Sequence, residues 1–171
     1  MQEEINIGEQ HNTPVLWDAG GELYFRFEED FIEDNVRCIP MIVRFKLDAC
    51  GIKLKLEEWC RLSVEERNTL VYKSCTQQHD ILQYRIYLQQ LVLQKTGSPV
   101  TNLTIDQNPA WADKTKVFDV LVPKAAKLGM AIPVNWWAAL TNLQRFALVK
   151  LSRQSHESKN LPKALKEFGL V

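Results

Sequence analysis

Residues 143–160, LQRFALVKLSRQSHESKN, gather side chains that could do chemistry: the cations Arg145, Lys150 and Arg153, then His156 beside Glu157, and Asn160 at the end. A histidine next to a carboxylate raises acid–base work or metal ligation. Adjacent residues on a helix point about 100° apart, so His156 and Glu157 could not clamp one ion together, and the pair is a weak metal site. Four cysteines, Cys38, Cys50, Cys60 and Cys75, offer thiol or cluster chemistry. Their separations of 12, 10 and 15 positions contain neither a C-x-x-C knuckle nor a dense secreted framework. They read as free thiols, mostly buried, because free cysteine packs as a small hydrophobe.

Other catalytic signatures are missing from the sequence. It holds no G-x-x-x-x-G-K-[ST] loop, no G-x-G-x-x-G after a strand, no H-E-x-x-H and no G-x-S-x-G, and its seven glycines leave little material for a nucleotide cradle. Its basic residues are not interleaved with aromatic stacking platforms, so nucleic acid is not expected as a partner. These absences favour a non-catalytic protein with no cofactor of its own.

The scaffold behind these groups is expected to be one folded domain, since 171 residues with 46% hydrophobic and 25% charged content can bury a sizeable core. MQEEINIGEQHNTPV is acidic where a signal peptide needs a basic start, and no run approaches 18 uninterrupted apolar residues. A cytoplasmic protein with no membrane partner is expected. The formal net charge is zero, but residues 1–34 hold ten acids and one base, leaving twenty bases and eleven acids beyond them. That imbalance of −9 against +9 either neutralises itself within the fold or steers a charged partner.

Helix signals recur along most of the chain. Residues 1–21 read as an irregular acidic arm and 22–171 as a single helical domain. Leu23, Phe25 and Phe27 alternate as one short strand would, with no obvious partner. Pro40 and Gly51 bracket a helix, PMIVRFKLDAC, with Ile42, Phe45 and Ala49 on one side and Val43, Leu47 and Cys50 on another. Arg44 and Asp48 stack on its narrow polar strip, as structural polar residues of a central helix. After a brief alternation at Ile52, Leu54 and Leu56 comes a helical turn at Trp59. Ser63 and Glu66 form a capping box that opens a helix to about Lys73. Gln77 to Lys95 is the longest amphipathic pattern, stopped by Gly97-Ser98-Pro99. Residues 98–116 lack periodicity, apart from a possible helical turn at Pro109-Ala110-Trp111. Leu121–Lys127 closes at Gly129, Pro133 opens a helix to about Arg153, and Pro162–Phe168 stops at Gly169. The expected fold is a mainly α, single-domain bundle of about six or seven helices, with room for one short N-terminal strand.

On a continuous wheel from 133 to 153, Trp136, Ala139, Leu140, Leu143, Phe146, Ala147 and Leu151 form one apolar face. Arg145 falls opposite, towards solvent, and Lys150 falls inside the face. Lys150 then either lays its methylenes on Phe146 and lifts its ammonium to the rim, or pairs with an acid; Asp48 and the 28–34 acids are the candidates.

Three blocks, FRFEEDF (25–31), RCIPMIVRFKLDACGIKLKLEEW (37–59) and LQRFALVKLSRQSHESKN with LPKALKEFGL (143–170), resemble the cyanobacterial nitrate reductase-associated protein family. The resemblance implies a partner, assimilatory nitrate reductase, which carries a molybdenum cofactor and an iron–sulfur cluster and takes electrons from ferredoxin. Members are typically encoded beside nitrate reductase and molybdopterin-biosynthesis genes. The family has no established catalytic residues, so its motif positions here, Arg37, Cys38, Pro40, Arg44, Lys46, Asp48, Arg145, Lys150, His156 and Glu157, are candidates only. Two function classes follow. One is an accessory protein that binds the enzyme and assists cofactor loading or keeps it active, docking through Arg145, Arg153, His156, Glu157 and Asn160. The other is a small redox or cofactor carrier that uses the four cysteines. The cysteine spacing favours the first, while the docking residues read equally well as the polar cap of a helix.

Overall fold

The computed structural model describes residues 24–28, 38–154 and 159–170. The expected acidic arm, the first residues of the expected strand, and Arg37, His156 and Glu157 lie outside the described residues.

Eight α-helices are found among the described residues: α1 Met41–Cys50, α2 Leu56–Cys60, α3 Val64–Tyr72, α4 Gln78–Thr96, α5 Leu121–Lys127, α6 Val134–Ala139, α7 Asn142–Arg153 and α8 Asn160–Glu167. Single 3-10 turns occur at Arg26–Glu28 and Ala110–Ala112. The only sheet among the described residues is a two-residue antiparallel ladder of β1 Ile52–Lys53 with β2 Thr101–Asn102, in which Ile52 faces Asn102. The chain is thus a mainly α single domain. None of the described helices is long and apolar enough to cross a membrane.

Helix α1 stands between two hydrophobic cores. Val43, Leu47 and Cys50 enter the first, with Ile52, Trp59, Leu70, Tyr84 and Leu88 of β1 and α2–α4, and Ile42 and Ala49 pack against it. Met41 enters the second core, built mainly from α5–α8, and Phe45 packs against it. Phe45 sets its ring edge-on to Trp111 and Phe146, with centroids 5.1 Å apart in each case. The two apolar sides expected of this helix are therefore real, but Phe45 belongs with Met41 rather than with Ile42 and Ala49.

Several termini follow their sequence signals. Ser63 Oγ accepts from the Glu66 amide at 3.2 Å while Glu66 Oε2 accepts from the Ser63 amide at 2.8 Å, a reciprocal cap. Gly51 ends α1 at φ +72°, and a Cβ there would lie 2.9 Å from the Leu103 carbonyl oxygen, so both the conformation and the space demand glycine. The turn expected near Pro109 is the Ala110–Ala112 3-10 turn, which packs on α7.

Two expectations need correction. Phe25–Glu28 is a turn and not a strand, because Glu28 Oε2 accepts from the Phe25 amide at 3.1 Å and curls the segment back on itself. Its neighbours Arg26 and Phe27 donate their amides to the Glu167 carboxylate at 2.8 and 3.0 Å, and Phe25 and Phe27 stack beside Phe168. The second correction concerns 133–153, which is two helices. Thr141 caps α7, its hydroxyl accepting from the Gln144 amide at 3.1 Å and its amide donating to Gln144 Oε1 at 2.9 Å. The break resets the helical phase, so Trp137, and not Trp136 or Ala139, is the fully buried residue of α6.

Candidate functional site

The break at Leu140–Thr141 decides the position of Arg145. The carbonyls at the end of α6 lack their usual donors four residues on, and within the backbone that of Trp137 accepts only a 3.3 Å bond from the Leu140 amide. Arg145, in the first turn of α7, folds back to meet them: Nη1 donates to the carbonyls of Leu140 and, at 3.4 Å, Trp137. Its Nε donates to the Trp111 carbonyl at 2.7 Å and its Nη2 to Asn142 Oδ1 at 2.5 Å. The side chain is 0% exposed, and burial lowers its pKa from the usual guanidinium range. Arg145 is thus not a solvent-facing docking residue. It cross-links α6, α7 and the Ala110–Ala112 turn, and the partial negative charge of the α6 carbonyls offsets the cost of burying it.

Other charges, buried or half-buried, act in the same way. Lys46 Nζ donates to the carbonyls of Val71 and Lys73 at 2.5 and 2.8 Å, closing the C-terminus of α3, and burial pushes its pKa down to about 8. Glu28 Oε1 accepts from the Met41 amide at 2.7 Å at the start of α1. Burial pushes the Glu28 carboxyl up to about 7, with Glu167 adding to the rise and the two amides and Arg44 opposing it. At the end of α2, Arg67 donates to the Trp59 and Cys60 carbonyls at 3.2 and 3.1 Å. These side chains satisfy backbone groups at element ends, so their chemistry is already committed to the fold.

The remaining candidates divide by position. Lys150 makes a 2.9 Å ion pair with Asp48 and lies 5.2 Å from the centre of the Phe146 ring, tying α7 to α1. Both readings of this lysine hold at once, with Asp48 as the acid. Arg44 Nε donates to the Ile39 carbonyl at 2.8 Å. With Glu28, Cys38, Gln154 and Asn160, Arg44 lines a cleft of about 170 Å³. Arg153 is exposed and stacks its guanidinium 5.2 Å from the centre of the Phe118 ring. Beyond it, Lys159, Lys163 and Lys166 are exposed along α8 at i, i+4 and i+7, opposite the buried Leu161, Ala164 and Leu165. Lys163 and Lys166 border an open groove of about 620 Å³ that also takes in Arg26 and Gln144. This basic ridge was missed in the sequence, although its spacing alone could have revealed it.

A family model described as conserved nitrate reductase-associated protein matches residues 24–168. The chain belongs to the nitrate reductase-associated protein family. The matched span runs from beside Phe25 to Phe168, the residues whose rings meet where the two ends of the fold close. No curated protein and no solved structure matches the chain.

In this nitrate reductase-associated protein the four cysteines are free. Cys50 and Cys75 are buried in the first core, and burial pushes their thiols up to about 11 and about 12. Cys60 is exposed on α2 and Cys38 half-buried. Among the described residues no three histidine, cysteine or acidic side chains are grouped to hold a metal ion. Since the thiolate is the reactive form, a chromogenic thiol reagent at pH 8 should label Cys60 quickly and Cys50 and Cys75 only after denaturant is added. Cys60→Ser should abolish the fast phase. Rapid labelling of Cys50 or Cys75 in the folded protein, read by peptide mass, would contradict this assignment.

Proposed function

We propose that the protein is a non-catalytic accessory factor that docks on nitrate reductase and assists loading of its molybdenum cofactor or maintenance of its active form. The basic ridge of α8, continued by Arg153 at the end of α7, forms the docking surface, and Asn160 borders it; His156 and Glu157, which fall between Arg153 and Asn160 in the sequence, are proposed with it on sequence position alone. The observation that carries this reading is the division of labour among the charges. Arg145, Lys46 and Glu28 are buried and committed to backbone ends, while Lys159, Lys166 and Arg153 stand exposed on adjoining elements. Family membership supports nitrate reductase as the partner. Exposed cations contribute little to stability but set the rate and salt dependence of association with an acidic surface.

Titration of nitrate reductase with the protein at low and at physiological salt tests this reading. The wild type should bind more tightly at low salt. A Lys159→Glu/Lys166→Glu variant and Arg153→Glu should each weaken binding about tenfold or more while leaving the melting temperature nearly unchanged. No detectable wild-type binding, or equal binding by the charge-reversed variants, would overturn it. Stoichiometric molybdenum or iron in the gently purified protein would favour the carrier function instead.

A further inference from the structure

The groove of about 620 Å³ is lined by Arg26 and Phe27 from the N-terminal turn and by Lys163, Lys166 and Glu167 from α8. The turn is fixed in place there. Glu167 spends both carboxylate oxygens on the Arg26 and Phe27 amides, at 2.8 and 3.0 Å, and the Phe25 ring centre lies 5.0 Å from that of Phe168. Tyr24 packs against the first core, so the chain before it departs from a set point one residue away from Phe25. Glu28, at the other end of the turn, is tied instead to the start of α1 through the Met41 amide at 2.7 Å. What departs from Tyr24 is acidic: residues 1–23 hold five acids, Glu3, Glu4, Glu9, Asp18 and Glu22, and no lysine or arginine. What borders the point of departure is basic, since Arg26, Lys159 and Lys166 are exposed, with Arg153 at the end of α7.

We propose that residues 1–23 are an internal acidic ligand of the α8 ridge, which an acidic partner has to displace. The tether identifies the occupant. An extended chain spans at most about 3.5 Å per residue, so Glu22 lies within about 7 Å of Tyr24 and Asp18 within about 21 Å. Lys159 and Lys166 are only about 10 Å apart along the helix. Both acids therefore reach the groove and the ridge beyond it. A ligand joined by so short a link acts at an effective concentration in the millimolar range, an advantage that no separate acidic molecule shares. Exposed ion pairs are individually weak and screened by salt, so the segment competes with docking without abolishing it. The proposal rests on the docking surface argued above only for the identity of the displacing partner.

Zero-length carbodiimide coupling of the full chain at low micromolar concentration, read by peptide mass in the monomer fraction, tests the contact without nitrate reductase. Amide links should join Glu22 or Asp18 to Lys159 or Lys166, and their yield should fall about fivefold at about 0.5 M salt. A full chain carrying Glu3→Gln, Glu4→Gln, Glu9→Gln, Asp18→Asn and Glu22→Gln should keep its circular dichroism and melting temperature. It should bind nitrate reductase about tenfold more tightly than the wild type at low salt and lose that advantage as salt rises, because the competing segment has been disarmed. Absence of links between residues 1–23 and α8, or links to α8 only from other acids of the chain, would overturn the proposal. So would detectable but equal binding of nitrate reductase by the wild type and the neutralised chain. Links with no binding of nitrate reductase by either chain would uphold the internal contact and overturn the docking function instead.

Discussion

Replacing Arg145 with methionine is expected to destabilise the protein by about 3 to 5 kcal/mol, the summed cost of leaving several interior acceptors without a donor. Methionine roughly keeps the apolar stem but removes every donor, so the carbonyls of Trp111, Trp137 and Leu140 and the Asn142 side chain all lose a partner inside the protein. Each buried acceptor left unpaired costs on the order of 1–3 kcal/mol. For a chain of this length about 1 kcal/mol moves the melting temperature by roughly 2–4 °C, so a fall of around 10 °C or outright failure to fold is the expected result. Lysine should rescue only part of the loss, since one ammonium cannot span carbonyls on both sides of the α6–α7 break. Arg153→Glu, at an exposed position, should shift the melt by no more than about 0.5 kcal/mol. Thermal melts of the three variants beside the wild type decide the matter. A near-unchanged melt for Arg145→Met would mean that the break between α6 and α7 does not depend on the guanidinium.

Glu28 should make stability fall as pH rises between about 4.5 and about 7. Its folded pKa of about 7 lies above the ordinary 4.5 of the unfolded chain. Between those values the folded state holds a proton that the unfolded state has released, so unfolding becomes easier with each step upward in pH. The favourable contribution is complete below about 4.5 and gone above about 7, a difference of roughly 3 kcal/mol by the free-energy equivalent of the shift. Glu28→Gln is uncharged throughout and should remove this slope. The quantity to measure is the difference between wild type and Glu28→Gln in urea midpoint at pH 5 and at pH 7.5, because subtraction cancels the other titrating groups. No difference in slope would show that the amides of Phe25 and Met41, with Arg44, keep Glu28 ionised across the range.

Local signals in the sequence marked much of this fold. The Ser63–Glu66 box and the glycines at 51, 97 and 129 set helix ends because each acts over three or four residues. The Asp48–Lys150 pair was within reach because Lys150 interrupts an apolar face and so calls for an acid, and Asp48 lies on the narrow polar strip of a helix that is otherwise apolar. Thr141-x-x-Gln144 is an equally local signal, but the apolar residues on either side fit one continuous wheel and concealed it. Arg145 was misplaced because its own side of α7 is covered as well: Leu148, Val149 and Ser152, which share that side, are all buried, so the face opposite Phe146 and Ala147 does not meet solvent. The ladder of Ile52–Lys53 with Thr101–Asn102 is too short to show a period. Nothing in the local sequence could reveal the burial of Glu28 or Lys46, because the amides and carbonyls they bind belong partly to other elements. Of the proposed docking surface, Arg153 and Asn160 were named from the sequence, while the lysines of α8 were passed over in favour of the histidine beside them.

The closure of the two ends also bears on how the protein is made. Arg26 and Phe27 bind a carboxylate about 140 residues further on, and Phe25 and Phe27 share rings with Phe168. A ribosome delivers the early residues first and Phe168 much later, so the second core stays open at that edge through most of translation. The first core, whose helices follow one another closely in sequence, can assemble meanwhile from contacts of short range. Helix α8 is the last of the described elements to arrive, and until it docks, the nascent chain presents Phe25, Phe27 and the inner side of α7 to whatever chaperone attends the exit tunnel.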